Sequence, residues 1–309
     1  MTDSIEILVP GLWPQAGEGP DPETPQLLAK MLGRGELLRS AAAAWESEAA
    51  DRLGFRPASG GRQRWLASPV SLTAGMTDAV AQAVEDLGSD DAGALLASIL
   101  PELESASASM CEAAPGLFEL ELDAEGDWDM PPPSAAFGRP IRAPGLESGV
   151  ARRLQVLGNA VQMAWFDHPV NDARVRAGRA PVQGLWFWSP GVPAGTPSVR
   201  SIAGGGAVAA WLAAAAGVTW SADPLERQAD LTVIDALFRA EHAGRRSDLL
   251  VSVSEDLLQP RLARLRVGGI REIRVHDPGV AVLRLQRSCW RRFWRGPKRM
   301  DAPPVSARR

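Results

Sequence analysis

The chain has 309 residues, with 37 acidic and 33 basic side chains, 45% hydrophobic and 23% charged residues, two cysteines and three histidines. This length and composition suit one large domain or two modest ones and exclude a mostly disordered chain; Cys111 and Cys289, far apart, exclude a disulfide scaffold or an unaided zinc site. The net charge of −4 hides two unlike ends, because positions 261–309 hold 14 basic and 3 acidic residues, a net of +11, against −15 for the remainder.

The opening residues are acidic where a signal peptide would be basic, and the apolar run Ala207–Val218 is shorter than the about 20 residues that span a bilayer. The expectation is a cytoplasmic protein with free thiols and no membrane partner. Arginine outnumbers lysine by 31 to 2, tyrosine is absent and alanine runs recur. Codon bias in a GC-rich genome gives that pattern, so no function is read from it. The eleven tryptophans are large amphipathic rings that seek a core, an interface or a ligand.

Along the chain, Ile5–Val9 reads as a buried strand that stops at Pro10-Gly11. Thr24 as N-cap, Pro25 at the first helical position and Gly33 at the end predict a helix. Leu37–Leu53 reads as helix, and Trp65–Leu72 as a strand with a proline edge. Asp78–Leu87 and Asp90–Leu100 read as two helices, the second stopped by Pro101; an alternating strand follows at Leu117–Leu122, and Pro131–Pro133 marks a loop. Val150, Leu154, Leu157, Val161 and Trp165 recur at helical spacing between Glu147 and Phe166. Leu185–Trp188 is a short apolar strand, Gly204-Gly205-Gly206 opens a helix through Ala215, and Asp230–Glu241 reads as another helix. A hairpin pairs Arg271–His276 with Val280–Leu285 around Asp277-Pro278-Gly279. Strands alternating with helices make the chain an α/β protein with an antiparallel addition at its C-terminus.

One segment concentrates polar and aromatic chemistry. A helix delivers Asn159 and Gln162 on adjacent turns, Pro169 breaks it after His168, and a second short helix carrying Asn171 and Arg174 ends at Gly178. Together with Trp186 and Trp188, two apart on a strand, these side chains could line a pocket for a small anion. They could equally cap helix ends, satisfy backbone groups and fill core. At the C-terminus, Arg287, Trp290, Arg291, Arg292, Trp294 and Arg295 interleave basic and aromatic side chains, as a surface for nucleic acid or an acidic protein partner does. The alternative there is a helix that docks Trp290 and Trp294 while its arginines stay solvated or pair with the acidic body. Gly204–Gly206 could cradle a phosphate at a helix N-terminus, but lacks the lysine of a P-loop and the dinucleotide fingerprint, which favours a flexible helix entry.

The run His168-Pro169-Val170-Asn171, Arg174, Gly178, Pro181 and the strand Trp186-Phe187-Trp188 resembles a segment of archaeal-type cofactor-independent phosphoglycerate mutases. The Asn-x-x-Gln-Met helix at Asn159, the Trp-Leu-x-x-Pro-Val-x-Leu strand at Trp65 and the Arg292-Phe293-Trp294-Arg295 ending are similar to the RpfE-type regulatory proteins, a phosphoglycerate mutase-like family. The chain departs from that family at Ser68, Ser71, Ala160 and Gln183-Gly184, where polar groups change or disappear.

The resemblance implies a reduced three-layer core of the alkaline-phosphatase and phosphoglycerate-mutase type over residues 1–260. A basic hairpin, a Trp/Arg-rich helix and a short disordered tail then occupy 261–309. It also implies a serine nucleophile and two metals held by aspartates and histidines, which this chain matches poorly. Pro10 replaces the first aspartate, His276-Asp277 reverses an Asp-His pair, and Glu241-His242-Ala243-Gly244 only faintly echoes an Asp-x-Ala-Gly-His run. The expectation is therefore a catalytically degenerate regulatory or ligand-sensing protein with no cofactor and no metal, whose pocket is Asn159, Gln162, His168, Asn171, Arg174, Trp186 and Trp188. A metal-dependent mutase or phosphoesterase, and a nucleic-acid-associated protein using the basic end, are the alternatives.

Overall fold

A computed structural model describes residues 4–13, 24–40, 44–57, 62–74, 79–84, 86–123, 130–141, 148–226, 228–235, 246–292 and 295–298, with the side chains of 39, 62, 63, 246, 247 and 290 left aside. His242 with the chain around it, Trp294 and the C-terminal residues beyond 298 lie outside these residues. The chain forms two compact units, one of residues 1–53 and 197–309, the other of residues 54–196 inserted between them.

The first unit is a mixed α/β layer structure. Its strands are β1 (Ser4–Leu8), β2 (Glu36–Arg39), and, after the inserted unit, β10 (Ser201–Gly204), β11 (Thr219–Ser221), β12 (Leu231–Val233), β13 (Glu272–Asp277) and β14 (Ala281–Gln286), numbered along the whole chain. They lie in the order β11-β10-β12-β1-β13-β14-β2. The first five are parallel, and β14 and β2 close the edge antiparallel.

Alternation along β1 and β13 decides what each face holds. Ile5, Ile7, Ile273 and Val275 face a core with Leu28 and Met31 of α1 (Gln26–Arg34), Leu250 of α9 (Arg246–Ser252), Leu257 of a π-helical turn (Val253–Leu258), and Leu262 and Leu265 of α10 (Gln259–Val267). Glu6, Arg274 and His276 turn to the opposite face, where α2 (Trp45–Arg52) lies, itself packed on α8 (Gly206–Ala216).

The second unit carries β4 (Arg62–Ala74), paired along one side first with β7 (Leu117–Asp123) and then with β5 (Ala79–Ala83), while β8 (Gly184–Trp188) pairs with its middle and β6 (Ala108–Ala114) extends β7. A two-residue pair, β3 (Phe55–Arg56) with β9 (Val192–Pro193), completes its strands among the described residues. The helices are α3 (Ser89–Ser98), α4 (Leu100–Ser105), the short α5 (Pro133–Ala136), α6 (Gly149–Phe166) and α7 (Pro169–Arg176). Trp65, Phe118 and Leu120 of the sheet pack against Leu154, Leu157, Val161 and Trp165 of α6.

Several expected elements stand as read, among them β1, α6, α7, β8, α8 and the β13–β14 hairpin. Others differ for reasons of tertiary pairing. The expected helix Leu37–Leu53 is helical only over Trp45–Arg52, and its first residues are strand, because Leu37 and Leu38 pair with Leu283 and Val282 of the hairpin. The expected helix at Asp78–Leu87 contains β5, drawn into β4's ladder, and Asp230–Glu241 contains β12, held between β1 and β10.

α3 ends at Ser98, shortly before Pro101, and Pro101 itself lies in the first turn of α4, where its missing N–H is no loss. Pro69 lies inside β4 at the point where the neighbour changes from β7 to β5, so no ladder bond is lost on that side. Thr24 does not cap α1, whose N-cap is Pro25 without a side-chain bond. Gly33 lies inside α1, and a Cβ there would stand 2.1 Å from the Gly296 carbonyl oxygen. The expected boundary at residue 260 falls within α10.

No helix among the described residues is long and apolar enough to cross a membrane. Trp13, Trp45, Trp65, Trp165, Trp186 and Trp188 are buried, and Trp220 is 41% exposed.

Candidate functional site

The central motif folds as a staple between α6, α7 and β8. His168 caps α7, its Nδ1 accepting from Val170 N–H at 3.2 Å. Asn171 is buried; its Nδ2 donates to the carbonyls of Trp165 (2.6 Å) and Val182 (2.8 Å), and its Oδ1 accepts from Val182 N–H at 2.7 Å. Arg174 is fully buried, donating through Nε to the Ala180 carbonyl at 2.8 Å, through Nη1 to the Asp86 carbonyl, and through Nη2 to the Asp86 carboxylate. That hydrogen bond is the chief reason the Asp86 carboxyl lies below the usual carboxylate range.

Trp188 Nε1 donates to Ser68 Oγ at 3.2 Å, and Trp186 Nε1 donates to the Pro131 carbonyl at 2.8 Å with its ring edge-on to Phe137. These side chains thus spend their polar atoms on the protein itself. Asn159 and Gln162 are exposed on α6, and Asn159 Oδ1 accepts from Gln155. Of the seven residues read as one pocket, only Gln162 and Asn171 line the same cavity. It is an open groove of about 610 Å³ that Leu72, Phe166, Asp172, Val175, Arg176, Pro181 and Gln183 complete.

Among the described residues, the first unit holds a dense charged cluster. Across the α2 face of the sheet, Arg52 Nε lies 3.0 Å from Glu6 Oε2, and Arg52 Nη2 donates to Glu48 Oε1 at 2.7 Å. His276 Nε2 stands 3.3 Å from Glu6 Oε2, and Arg274 Nη1 3.6 Å from Glu6 Oε1. Beyond it, Arg274 and Arg284 both donate to Glu272, joined by Gln286. Burial raises the Glu6 carboxyl, but His276 and the charges of Arg52 and Arg274 outweigh it, so Glu6 stays below the usual carboxylate range. Glu272 is lowered likewise, its burial outweighed by hydrogen bonds from Gln286, Arg284 and Arg274.

Glu6, Glu48 and His276 are the one set of three candidate metal ligands that lie together among the described residues. Glu6 Oε2 and His276 Nε2 are buried, and their mutual contact is too poorly aligned to be a hydrogen bond. We read it as an electrostatic contact. The carboxylates of Glu6, Glu48 and Glu272 already lie against the guanidiniums of Arg52, Arg274 and Arg284, with Glu36 also 3.6 Å from Arg284. A divalent cation would have to share the buried space with Arg52, at a large desolvation penalty for the excess charge. Sequence reasoning passed over this cluster. Its signals are a glutamate inside the apolar strand Ile5–Val9 and the Glu48–Arg52 pair one helical turn apart.

His276 and Asp277, adjacent on β13, project to opposite faces. Asp277 stands at the carboxyl end of the strand and accepts from Gly11 N–H at 3.0 Å and Trp13 N–H at 2.8 Å, tying down the loop after β1. Gly204, Gly205 and Gly206 all have positive φ, and a Cβ on Gly204 would lie 2.2 Å from the Val233 carbonyl. A packing reason therefore accounts for glycine there.

The basic end divides. Arg287, Arg291 and Arg295 are exposed, and Arg292 is half-buried with Nη1 donating to the Arg34 carbonyl at 3.2 Å. Arg287–Arg291 form a single 3₁₀ turn; the Trp290 side chain and Trp294 lie outside the described residues. Further back, Arg261 is buried on the carbonyls of Leu257 and Glu226 and on Thr232 Oγ1, and Arg274 and Arg284 clasp Glu272. Part of the +11 is thus internal.

No protein-family model matches the chain, and no curated protein is similar to it at a significant level. Among solved structures, the PH0037 protein from Pyrococcus horikoshii is similar over 92% of this chain and 87% of that one, at 13% identity and a TM-score of 0.49. Cofactor-independent phosphoglycerate mutase from Thermoplasma acidophilum DSM 1728 is similar over 100% of this chain and 96% of that one, at 15% identity and a TM-score of 0.42. The likeness is distant and transfers no residue role or activity.

Proposed function

We propose that this chain is a phosphoglycerate-mutase-like protein that has given up phosphoryl transfer and works by binding, as a regulatory or ligand-sensing protein. The observation that carries this reading is the state of the carboxyl ends of β1 and β13, the edge where open parallel sheets keep their chemistry. Pro10 offers no ligand atom there, and Asp277 directs both carboxylate oxygens to backbone N–H groups. The neighbouring imidazole of His276 is turned to the other face, among Glu6, Glu48 and Arg52. Two-metal phosphoryl transfer needs carboxylates and imidazoles converging on ions about 4 Å apart.

The ligand-binding part of the reading rests on the groove in the second unit. Arg176, Gln162 and Gln183 offer a cation and amides, and Asp172 an acceptor, which suits a phosphorylated hydroxy acid that carries both anionic and donor groups. Arg174 is engaged in the staple, so Arg176 takes the anion-binding role in this reading.

Thermal-shift titration with phosphorylated three-carbon acids tests it, alongside a coupled mutase assay with added manganese. The expected result is a rise in Tm that Arg176→Ala removes, with no turnover. Steady turnover abolished by a chelator would overturn the non-catalytic reading, and no shift with any phosphorylated acid would overturn the groove.

A further inference from the structure

The outer face of α6 carries an apolar seam that the protein itself does not bury. Gly149, Arg152, Val156, Asn159, Met163 and Phe166 recur at steps of three and four residues, and all are exposed. Val156 is 68%, Met163 80% and Phe166 76% exposed, among the most exposed large apolar side chains described. The opposite face, Val150, Leu154, Leu157, Val161 and Trp165, is already committed to the core. Alternating steps of three and four are the spacing that two packed helices use along a shared seam.

We propose that this seam is the interface for a second copy of the same chain, with the two α6 helices antiparallel about a two-fold axis near the middle of the helix. The argument for that occupant is self-complementarity. A two-fold axis level with Val161 sets Val156 of one copy against Phe166 of the other and Asn159 against Met163, twice over, so the three large apolar side chains of each copy are covered. The charges agree with this direction and not with the reverse. Arg152 stands at the start of the seam and Asp167 caps its end; beyond it α7 carries both Asp172 and Arg176, so the direction rests on Arg152 and Asp167. Antiparallel pairing brings the arginine end of each helix to the aspartate end of the other; parallel pairing would set like charges together.

Sedimentation or light scattering of the full chain across a concentration series tests the proposal, with thermal melts as the check on folding. The weight-average mass should rise from 32.9 kDa toward twice that value. Met163→Glu, a change at an exposed position, should hold the chain at the monomer mass, with the Tm that the wild-type chain shows at concentrations where it is monomeric. Arg152→Asp and Asp167→Arg should each weaken association, and the two together should restore it, because the charge pair is then reversed in both copies. A wild-type chain that stays monomeric throughout overturns the proposal. So does a dimer indifferent to Met163→Glu, or a double charge reversal no better than either single one.

Discussion

Asn171 binds Val182 as one strand binds another: its side-chain amide donates to the Val182 carbonyl at 2.8 Å and accepts from the Val182 N–H at 2.7 Å. A third bond, to the Trp165 carbonyl, ties in the end of α6, so one buried amide holds the turn between a helix and the segment leading into β8. Removing it leaves the N–H and C=O of Val182 without partners, while the Trp165 carbonyl keeps the backbone N–H groups of Asp167 and His168. Asn171→Ala should therefore lower stability by about 3 kcal/mol, and Asn171→Asp, which keeps the acceptor and loses both donors, by a comparable amount. Urea unfolding monitored by tryptophan fluorescence measures both.

Arg174 works as a planar fork. Its Nε, Nη1 and Nη2 go to the Ala180 carbonyl, the Asp86 carbonyl and the Asp86 carboxylate, from a side chain with no exposure. A lysine presents one ammonium and cannot reach all three, so Arg174→Lys should recover little of the loss seen in Arg174→Met, about 3 kcal/mol. In both variants the Asp86 carboxyl should titrate closer to the ordinary aspartate value, which NMR titration of that side chain reads.

Acid should weaken the first unit through Glu6 and Glu272. Both carboxyls lie below their ordinary value in the folded protein, Glu6 through His276, Arg52 and Arg274 against its burial, Glu272 through Gln286, Arg284 and Arg274 against its own. A depressed folded pKa contributes stability that is fully present above the unfolded value, about 4.3 for glutamate, and is lost as pH falls through the folded value. Denaturation midpoints should be flat from pH 7 to about pH 5 and fall below it. Glu272→Gln should make that acid limb shallower while lowering stability at pH 7; an unchanged limb would exclude Glu272 as a contributor.

The loop after β1 depends on Asp277. Asp277→Ala removes the acceptor for Gly11 and Trp13 N–H and should lower stability by about 2 kcal/mol, with faster amide exchange at those two positions. Asp277→Asn keeps one oxygen acceptor and should fall between the two. Were the carboxylate a metal ligand instead, both variants would lose metal-dependent activity, and exchange at Gly11 and Trp13 would follow metal concentration.

Some of this protein was present in its sequence alone. The period of Val150, Leu154, Leu157, Val161 and Trp165 determined α6, because only a helix puts those side chains on one face, and Pro169 and Gly178 determined the bounds of α7. The Asp277-Pro278-Gly279 turn between two apolar runs determined the terminal hairpin. Local chemistry decides these elements, and it is written in adjacent residues.

Tertiary structure alone decided the rest. Leu37 and Leu38 became strand because a hairpin far along the chain, at Val282 and Leu283, offered an unpaired edge, and Ala79–Ala83 because β4 did. Asn171 and Arg174 read equally well as ligand-binding groups or as structural ones, since a hydrogen-bond donor does not declare its acceptor. The carbonyls of Trp165, Val182, Ala180 and Asp86 lie at different points along the chain, and only the fold brings them within reach. Glu6, Glu48 and His276 met for the same reason: parallel pairing of β1 with β13 placed two ends of the chain side by side, and α2 covered them.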